Sequence, residues 1–373
     1  MRNGATIRGH MASAIGNRRW DVAVVGAGVW GLATARAALA RGLSVIVLEA
    51  ATVAAGASGG VVGALSPHAP DRWTGKKAFQ LRALLAGRRY WPALETGTGL
   101  ATGYAACGRL MPLQDAAARD QAEARAAEAA RNWGAQARWQ VVETVPGWLA
   151  AAPFGAVHET LSARLFPRAA CAALARAVRL SGGAIREATP VRALAPGMVS
   201  TDAGTVRAGT VVVAAGVAGF GLLGIAGGRG VKGQAALLQA DTPAAAPLVF
   251  ADGIYVVPQP GGLVAVGSTS ENRWADPAPD ARLEAVIARA RALVPALADA
   301  PVRERWAGIR PRAPRPDPML GPVPGLPGVL AALGGFKIGF GLAPLVAETL
   351  ADMIAGGAPD LPADFAAAAQ IRA

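Results

Sequence analysis

Between Asp21 and Ala50 the chain leaves room for little besides one folding unit. An apolar run, Val22-Ala23-Val24-Val25, enters the turn Gly26-Ala27-Gly28-Val29-Trp30-Gly31. A helical stretch follows from about Leu32 to Arg41, and a second apolar run, Val45-Ile46-Val47-Leu48, ends on Glu49. This order predicts a strand, a crossover helix and a parallel strand. In such a unit Gly26 permits the tight turn, Gly28 lets backbone amides approach a pyrophosphate, and Gly31 lets the helix pack closely on the strand. The helix N-terminus adds free N–H groups and partial positive charge. Glu49 stands where an acid accepts hydrogen bonds from a ribose hydroxyl pair. In a chain with 47 glycines a bare turn of this kind means little. Strand, helix, second strand and acid in register predict a dinucleotide site, although Glu49 by itself does not say which dinucleotide.

The rest of the chain is read around that unit. Lys77 to Leu94, Ala116 to Trp133 and Cys171 to Leu180 look helical, and Thr210 to Ala215 is a further buried run. From Gly230 to Thr269 short apolar segments such as Ile254-Tyr255-Val256-Val257 alternate with proline and glycine, which predicts an antiparallel sheet. A helix from Ala281 to Leu293, a proline-rich loop from Arg310 to Pro327, and a strand, glycine turn and helix near Ala343 to Ala355 complete the order. The fold class is α/β with an α+β insert. Residues 20–92, 153–228 and 306–373 are assigned to a discontinuous Rossmann-like domain, and 93–152 and 229–305 to a substrate domain on an antiparallel sheet.

Length and charge exclude some functions. With 373 residues, 53% of them hydrophobic, the chain has enough apolar surface for a large core. The net charge of +12 favours anionic ligands, but basic residues come in pairs such as Lys76-Lys77 and Arg88-Arg89 without interleaved aromatics, which speaks against nucleic acid as a partner. Cys107 and Cys171 are too far apart for a metal or redox pair, and only His10, His68 and His158 remain as soft ligands, so no metal centre is expected. Residues 1–19 read as a flexible N-terminal extension. Glycines interrupt the uncharged stretch Ala208 to Gly228, and prolines interrupt Met319 to Phe336, so each reads as buried strand and turn and the protein is expected to be cytoplasmic.

Further segments bring in a resemblance. They are Gly56-Ala57-Ser58-Gly59-Gly60-Val61-Val62-Gly63-Ala64-Leu65-Ser66-Pro67-His68, Val211-Val212-Val213-Ala214-Ala215-Gly216, Val231-Lys232-Gly233-Gln234, Tyr255-Val256-Val257-Pro258, Trp306-Ala307-Gly308-Ile309-Arg310-Pro311, and Gly335-Phe336-Lys337-Ile338-Gly339. Together with the glycine turn, and in this order, they resemble the D-amino-acid oxidase-like FAD family over about residues 20–357, with its glycine oxidase branch the nearest. The resemblance implies noncovalent FAD. Val29 and Trp30, within Gly26 to Gly31, would meet the pyrophosphate, and Glu49 with Ala50 the adenosine ribose. Ala57, Ser58, Val62, Gly63 and Ala64 would line the diphosphate and flavin, and Val191 would meet the adenine. Ala215 and Gly216 belong to the same cofactor site. Gly335, Phe336, Lys337, Ile338, Gly339, Phe340 and Gly341 would wrap the pyrimidine side of the ring, where a helix N-terminus favours negative charge.

The resemblance also implies the chemistry. Arg310 matches an arginine that clamps the substrate carboxylate, for which a planar guanidinium is suited. Tyr255 matches a tyrosine whose hydroxyl bonds the same carboxylate, although the residue serves equally as a core tyrosine. Lys337 stands where the glycine oxidases carry an arginine, so the charge is kept and the fork is lost. The expected reaction is oxidation of the C–N bond of a small amino acid or secondary amine by hydride transfer from its α-carbon to flavin N5, giving an imine that hydrolyses, with oxygen or another molecule taking the electrons. His68 and Lys232 are placed near the flavin or the domain boundary, with a capping or loop role equally open for His68, and a homo-oligomer is left open. Two other readings stay beside this one: a tRNA-modifying FAD-dependent enzyme, and a flavin-binding subunit of an oxidoreductase complex.

Overall fold

The computed structural model describes residues 18–143, 148–150, 152–243 and 245–371. Most of the expected N-terminal extension therefore lies outside the described residues.

The first strand, Arg19–Val25, lies at the centre of a sheet because Val22 to Val25 are buried on both faces. It pairs in parallel with Val45–Leu48 on one side and Gly204–Val213 on the other. Ala184–Arg186 and Val329–Leu333 extend the parallel set outward. Met319–Pro322 closes one edge, antiparallel to Val329–Leu333. Helix Val29–Ala40 packs beside Pro167–Leu180 and Gly339–Ile354, and Gly75–Thr98 covers the same layer. The long helix is delimited by its own chemistry. Thr74 Oγ1 accepts from the Lys77 amide at 3.4 Å, and Gly99 ends the helix at φ +68°.

A second sheet runs in the order Val302–Arg312, Arg229–Gln239, Leu263–Gly267, Ile254–Gln259, Leu248–Ala251, Arg109–Pro112, Ala156–Glu159, Trp139–Val142. One face packs Ala236, Leu238, Val256, Val264 and Val266 against Leu283, Ile287 and Ala290 of helix Arg282–Leu293. The other face presents Ala235, Leu237, Val257 and Ala265 to Val61, with Val62, Ala64, Tyr255 and Trp306 around them. That face therefore looks toward the segment that follows the glycine unit.

Several stretches differ from the sequence reading. Ala156–Glu159, inside the stretch 153–228, pairs within the second sheet, and Val302–Arg312 belongs to the same sheet across position 306. The region expected to hold only short strands opens with one long strand, Arg229–Gln239, in which Gly230 and Gly233 mark close approaches instead of turns. The expected loop from Arg310 to Pro327 is partly strand, through Arg312 and again at Met319–Pro322. Both pieces are edge strands, where a proline can sit without removing a needed ladder donor. Among the described residues no helix is long and apolar enough to cross a membrane.

Candidate active site

The glycine turn is shaped by what stands behind it. Gly26 adopts φ +105°, and a Cβ there would stand 2.5 Å from the Ala214 carbonyl oxygen. Ala214 and Ala215 thus form the floor under the turn, and Gly216 follows them as the first residue of helix Gly216–Leu222. A Cβ at Gly31 would overlap the Gly26 carbonyl, so glycine is what lets the helix start this close to the strand. Gly28 caps the helix without a side-chain bond, and no acid lies in the first turn. Ser58 Oγ, in the short helical turn Ala57–Gly59, accepts from the Val29 amide at 3.1 Å. The end of the helix remains positive and suited to an anion.

Glu49 is aimed at the same turn. Its Oε2 accepts from the Ala27 amide at 2.7 Å and its Oε1 from the Ala51 amide at 3.0 Å, which leaves lone pairs for hydroxyl donors. Ala50 is exposed beside it. Thr189 donates its amide to the Glu49 carbonyl at 2.8 Å, which brings Val191, at the start of strand Val191–Ala195, to this end of the site.

The far end is built by the C-terminal segment. Trp30 is buried, and its Nε1 donates to the Gly339 carbonyl at 2.8 Å. Gly335 lies against the same ring, where a Cβ would be 3.0 Å from Cζ2. Any contact of Trp30 with a phosphate is therefore through its backbone, and its side chain is a strut. Helix Gly339–Ile354 starts from Ile338 with no side-chain cap and no acid in its first turn. Phe336 takes a left-handed φ of 41°, and its amide donates to the Pro311 carbonyl at 3.2 Å. Between the two ends run Val62, which would touch a Cβ at Gly267 at 2.8 Å, and Gly63, whose carbonyl accepts from the Leu165 amide at 2.9 Å. Ala64 continues into the short strand Ala64–Leu65. Two helix N-termini free of first-turn acids and joined by one hydrogen bond, a carboxylate at one extremity and small apolar residues between them are an arrangement that fits FAD.

The second sheet faces this cradle with a trough of small residues. Cross-strand partners run Trp306, Ala235, Gly267, Tyr255, so Trp306 and Tyr255 rise from one face with Ala235 and Gly267 between them. Arg310, four positions beyond Trp306, lies flat on Gly233, where any Cβ would overlap its guanidinium. Arg310 Nη1 donates to the Thr269 carbonyl at 3.1 Å and Nη2 to Ser268 Oγ at 2.6 Å. Both acceptors are neutral, and among the described residues Arg310 forms no ion pair. Burial pushes its pKa down to about 10, with Glu271 working the other way. Glu271 is itself engaged, accepting from Gln234 Nε2 at 2.9 Å, Thr269 Oγ1 at 2.5 Å and Arg282 Nη1 at 2.6 Å.

Lys337 stands at the rim, its pKa held below the ordinary lysine value by the surrounding protein and by the Arg310 and Arg312 charges. Arg312 and Lys337 each lie 5.6 Å from the Phe336 ring centroid. Neither pairs with an acid among the described residues. This mouth is cationic, and its charge is not spent internally.

Tyr255 is not paired with Arg310. Its hydroxyl accepts from Arg109 Nη1 at 3.0 Å. Arg109 is 4% exposed, and Glu159, at 0%, places Oε1 3.0 Å from its Nε. Burial opposes the Arg109 charge, but the Tyr255 oxygen and the Glu159 carboxylate outweigh it, and its pKa lies above the ordinary arginine value. Arg109, Glu159, Ser268 and Gly233 were not legible as site residues. The only signal was a charge heading the apolar strand Arg109–Pro112, where a buried arginine calls for a partner. His68 and Lys232 are structural. His68 holds Gln80 Oε1 through its amide and Nδ1, and Lys232, 1% exposed, donates Nζ to Asp280 Oδ2 at 2.9 Å. Among the described residues no cluster suited to a metal ion occurs.

Comparison with known proteins accords with this geometry. The family described as DAO, FAD dependent oxidoreductase, matches residues 21–353. The chain is similar to the glycine oxidase of Pseudomonas aeruginosa, 33% identical over 94% of this chain and 99% of that protein. It is also similar to the glycine oxidase of Geobacillus kaustophilus, 31% identical over 90% of this chain and 93% of the other. The crystal structure of glycine oxidase from Geobacillus kaustophilus superposes with a TM-score of 0.83, covering 93% of this chain and 98% of that one at 28% identity.

Proposed function

Because this chain belongs to the FAD-dependent oxidoreductase family and acts on amino acids or amines, we propose that its substrate is a small amine bearing a carboxylate, of the size of glycine or sarcosine, and that dioxygen takes the electrons. The observation that carries the substrate class is Arg310. A guanidinium fixed on Gly233 by two neutral acceptors, with no ion pair among the described residues, keeps its charge for a ligand, and a planar fork binds a carboxylate through parallel hydrogen bonds. The trough of Ala235 and Gly267 leaves space between Tyr255 and Trp306 for a small body, and the cations at Arg312 and Lys337 draw an anion toward it.

Bound FAD, held noncovalently, supplies the two-electron acceptor for oxidation of the C–N bond. The chain's own part is placement. Arg310 grips the carboxylate, the Tyr255 hydroxyl donates to it, and the Val62 to Ala64 segment closes the opposite side. The amine loses two electrons and two protons to become an imine, which water hydrolyses. The glycine oxidases named above support the substrate size and the oxidase reading.

The test is anaerobic addition of glycine, sarcosine, proline and D-alanine to the yellow protein, followed by admission of air. Bleaching by glycine or sarcosine and stoichiometric peroxide on reoxidation are expected. No bleaching by any of the panel removes the substrate assignment, and bleaching without peroxide removes dioxygen.

A further inference from the structure

We propose that Arg109 is a positioning residue for substrate recognition: it fixes the direction of the Tyr255 hydroxyl so that its proton is offered to the substrate carboxylate. The inference rests on the reading of Tyr255 as a carboxylate donor and adds a residue to it.

The argument is one of donors and acceptors. A guanidinium has only N–H groups, so in the 3.0 Å bond between Arg109 Nη1 and Tyr255 Oη the tyrosine must be the acceptor. Its own proton is then free to point away from Arg109. The arginine is held against rotation on three sides. Nη2 donates to the Pro67 carbonyl at 3.3 Å, Nε lies 3.0 Å from Glu159 Oε1, and the Phe250 ring centroid is 5.6 Å from Cζ. Glu159 is fixed in turn, accepting from the Leu161 and Ser162 amides at 2.8 and 3.0 Å and from Ser162 Oγ. Phe250 also packs on Tyr255, with ring centroids 4.5 Å apart, so the phenol is held as well as its hydroxyl.

The face of the hydroxyl follows from the sheet. Tyr255 stands opposite Gly267 and, through Ala235, in the row that ends at Trp306, on the side that carries Arg310. Pro67 belongs to the segment leading from Val62 and Ala64, so Arg109 ties the tyrosine to the wall facing the trough. A buried cation beside an apolar core is costly to retain without a partner that needs it. Here Glu159 balances the charge, and one N–H is turned to the Tyr255 hydroxyl.

The test separates orientation from mere support because lysine, like arginine, only donates, whereas glutamine both donates and accepts. Acetate, a carboxylate without an amine, is titrated calorimetrically into the FAD-loaded protein and its variants. Tyr255→Phe is expected to weaken acetate by about 10-fold, as for one hydrogen bond to a charged group. Arg109→Gln is expected to weaken it by a similar factor, and R109Q/Y255F no further than Y255F. Arg109→Lys should stay within about twofold of the wild type, and adding Y255F to it should restore the full loss.

Losses from R109Q and Y255F that multiply, an unchanged affinity in Y255F, or a loss in R109K equal to that of Y255F would each overturn the proposal. If R109Q is not recovered folded, the R109K and R109K/Y255F pair carries the decision alone. Acetate binding does not require turnover, so these outcomes are distinct from failure of the oxidation reading, which shows as no flavin bleaching while acetate still binds.

Discussion

Trp30 Nε1 donates to the carbonyl of Gly339 at 2.8 Å, across 309 positions of sequence, and so joins the first helix of the chain to its last long one at their N-termini. Neither helix has an acid in its first turn, and neither cap residue, Gly28 or Ile338, bonds its own helix through a side chain. One cofactor would meet both positive ends only if they are held at a fixed separation, and the indole bond holds them together with the packing of the two helices. The candidate dinucleotide site thus draws on residues 309 positions apart.

Replacing Trp30 by Phe keeps most of the apolar volume and removes the donor. FAD is expected to dissociate about 10-fold more readily, the size of one lost buried hydrogen bond plus some loosened packing. The apparent substrate constant should hardly move. Fluorescence of released flavin on dilution gives the first quantity and steady-state kinetics the second. An unaltered FAD constant would mean the indole bond is incidental.

Arg310→Ala should leave the protein yellow and raise the apparent substrate constant by roughly 100-fold, the range for losing a charge-assisted pair of hydrogen bonds. Burial moves the guanidinium to about 10, so the clamp is charged throughout the neutral range, and its loss is expected only as pH rises toward that value. In the wild type, clamp loss should therefore add nothing to the substrate constant between about pH 6 and pH 8. A constant unchanged in the variant would show that the carboxylate is held elsewhere.

The contrast between the two ends of the site explains what sequence could reveal. The glycine turn and Glu49 were legible because a local strand, helix and strand impose fixed spacings on glycines and acid. Arg310 and Tyr255 were legible only through a resemblance, since a lone arginine or tyrosine in a strand carries no local constraint. Arg109, which heads a strand that pairs in parallel with Leu248–Ala251, meets Tyr255 146 positions later, through sheet order that no periodicity encodes. Gly233 had been part of a motif, but its role as the surface under Arg310 depends on two antiparallel strands being in one register. The edge strand Val302–Arg312 was hidden by its proline, which is tolerated there because the edge leaves one row of donors unclaimed.

Glu49→Gln should loosen FAD without touching carboxylate recognition. The side chain keeps an acceptor for the Ala27 or Ala51 amide but loses the charge and one of its two acceptor oxygens. A rise of about 10-fold in the FAD dissociation constant is expected, with acetate affinity of the reconstituted protein unchanged. Equal loss of both would place Glu49 in the general support of the fold.

Acid stability should depend on His158, which lies in strand Ala156–Glu159 between Leu110 and Gln140. Burial, with help from the Arg138 charge, holds its pKa below the ordinary value of 6.5, and Glu159 only partly opposes this. The unfolded chain thus takes up the proton at a higher pH than the folded one. Wherever the unfolded state binds more protons, stability rises with pH, so the folded state loses stability as pH falls below about 6.5 and this contribution is flat above it. His158→Gln removes the titrating group from both states. Urea midpoints of wild type and variant, compared at about pH 7.5 and about pH 5.5, should show a smaller acid loss in the variant. Equal losses would assign the acid sensitivity to other groups and leave the imidazole without a part in it.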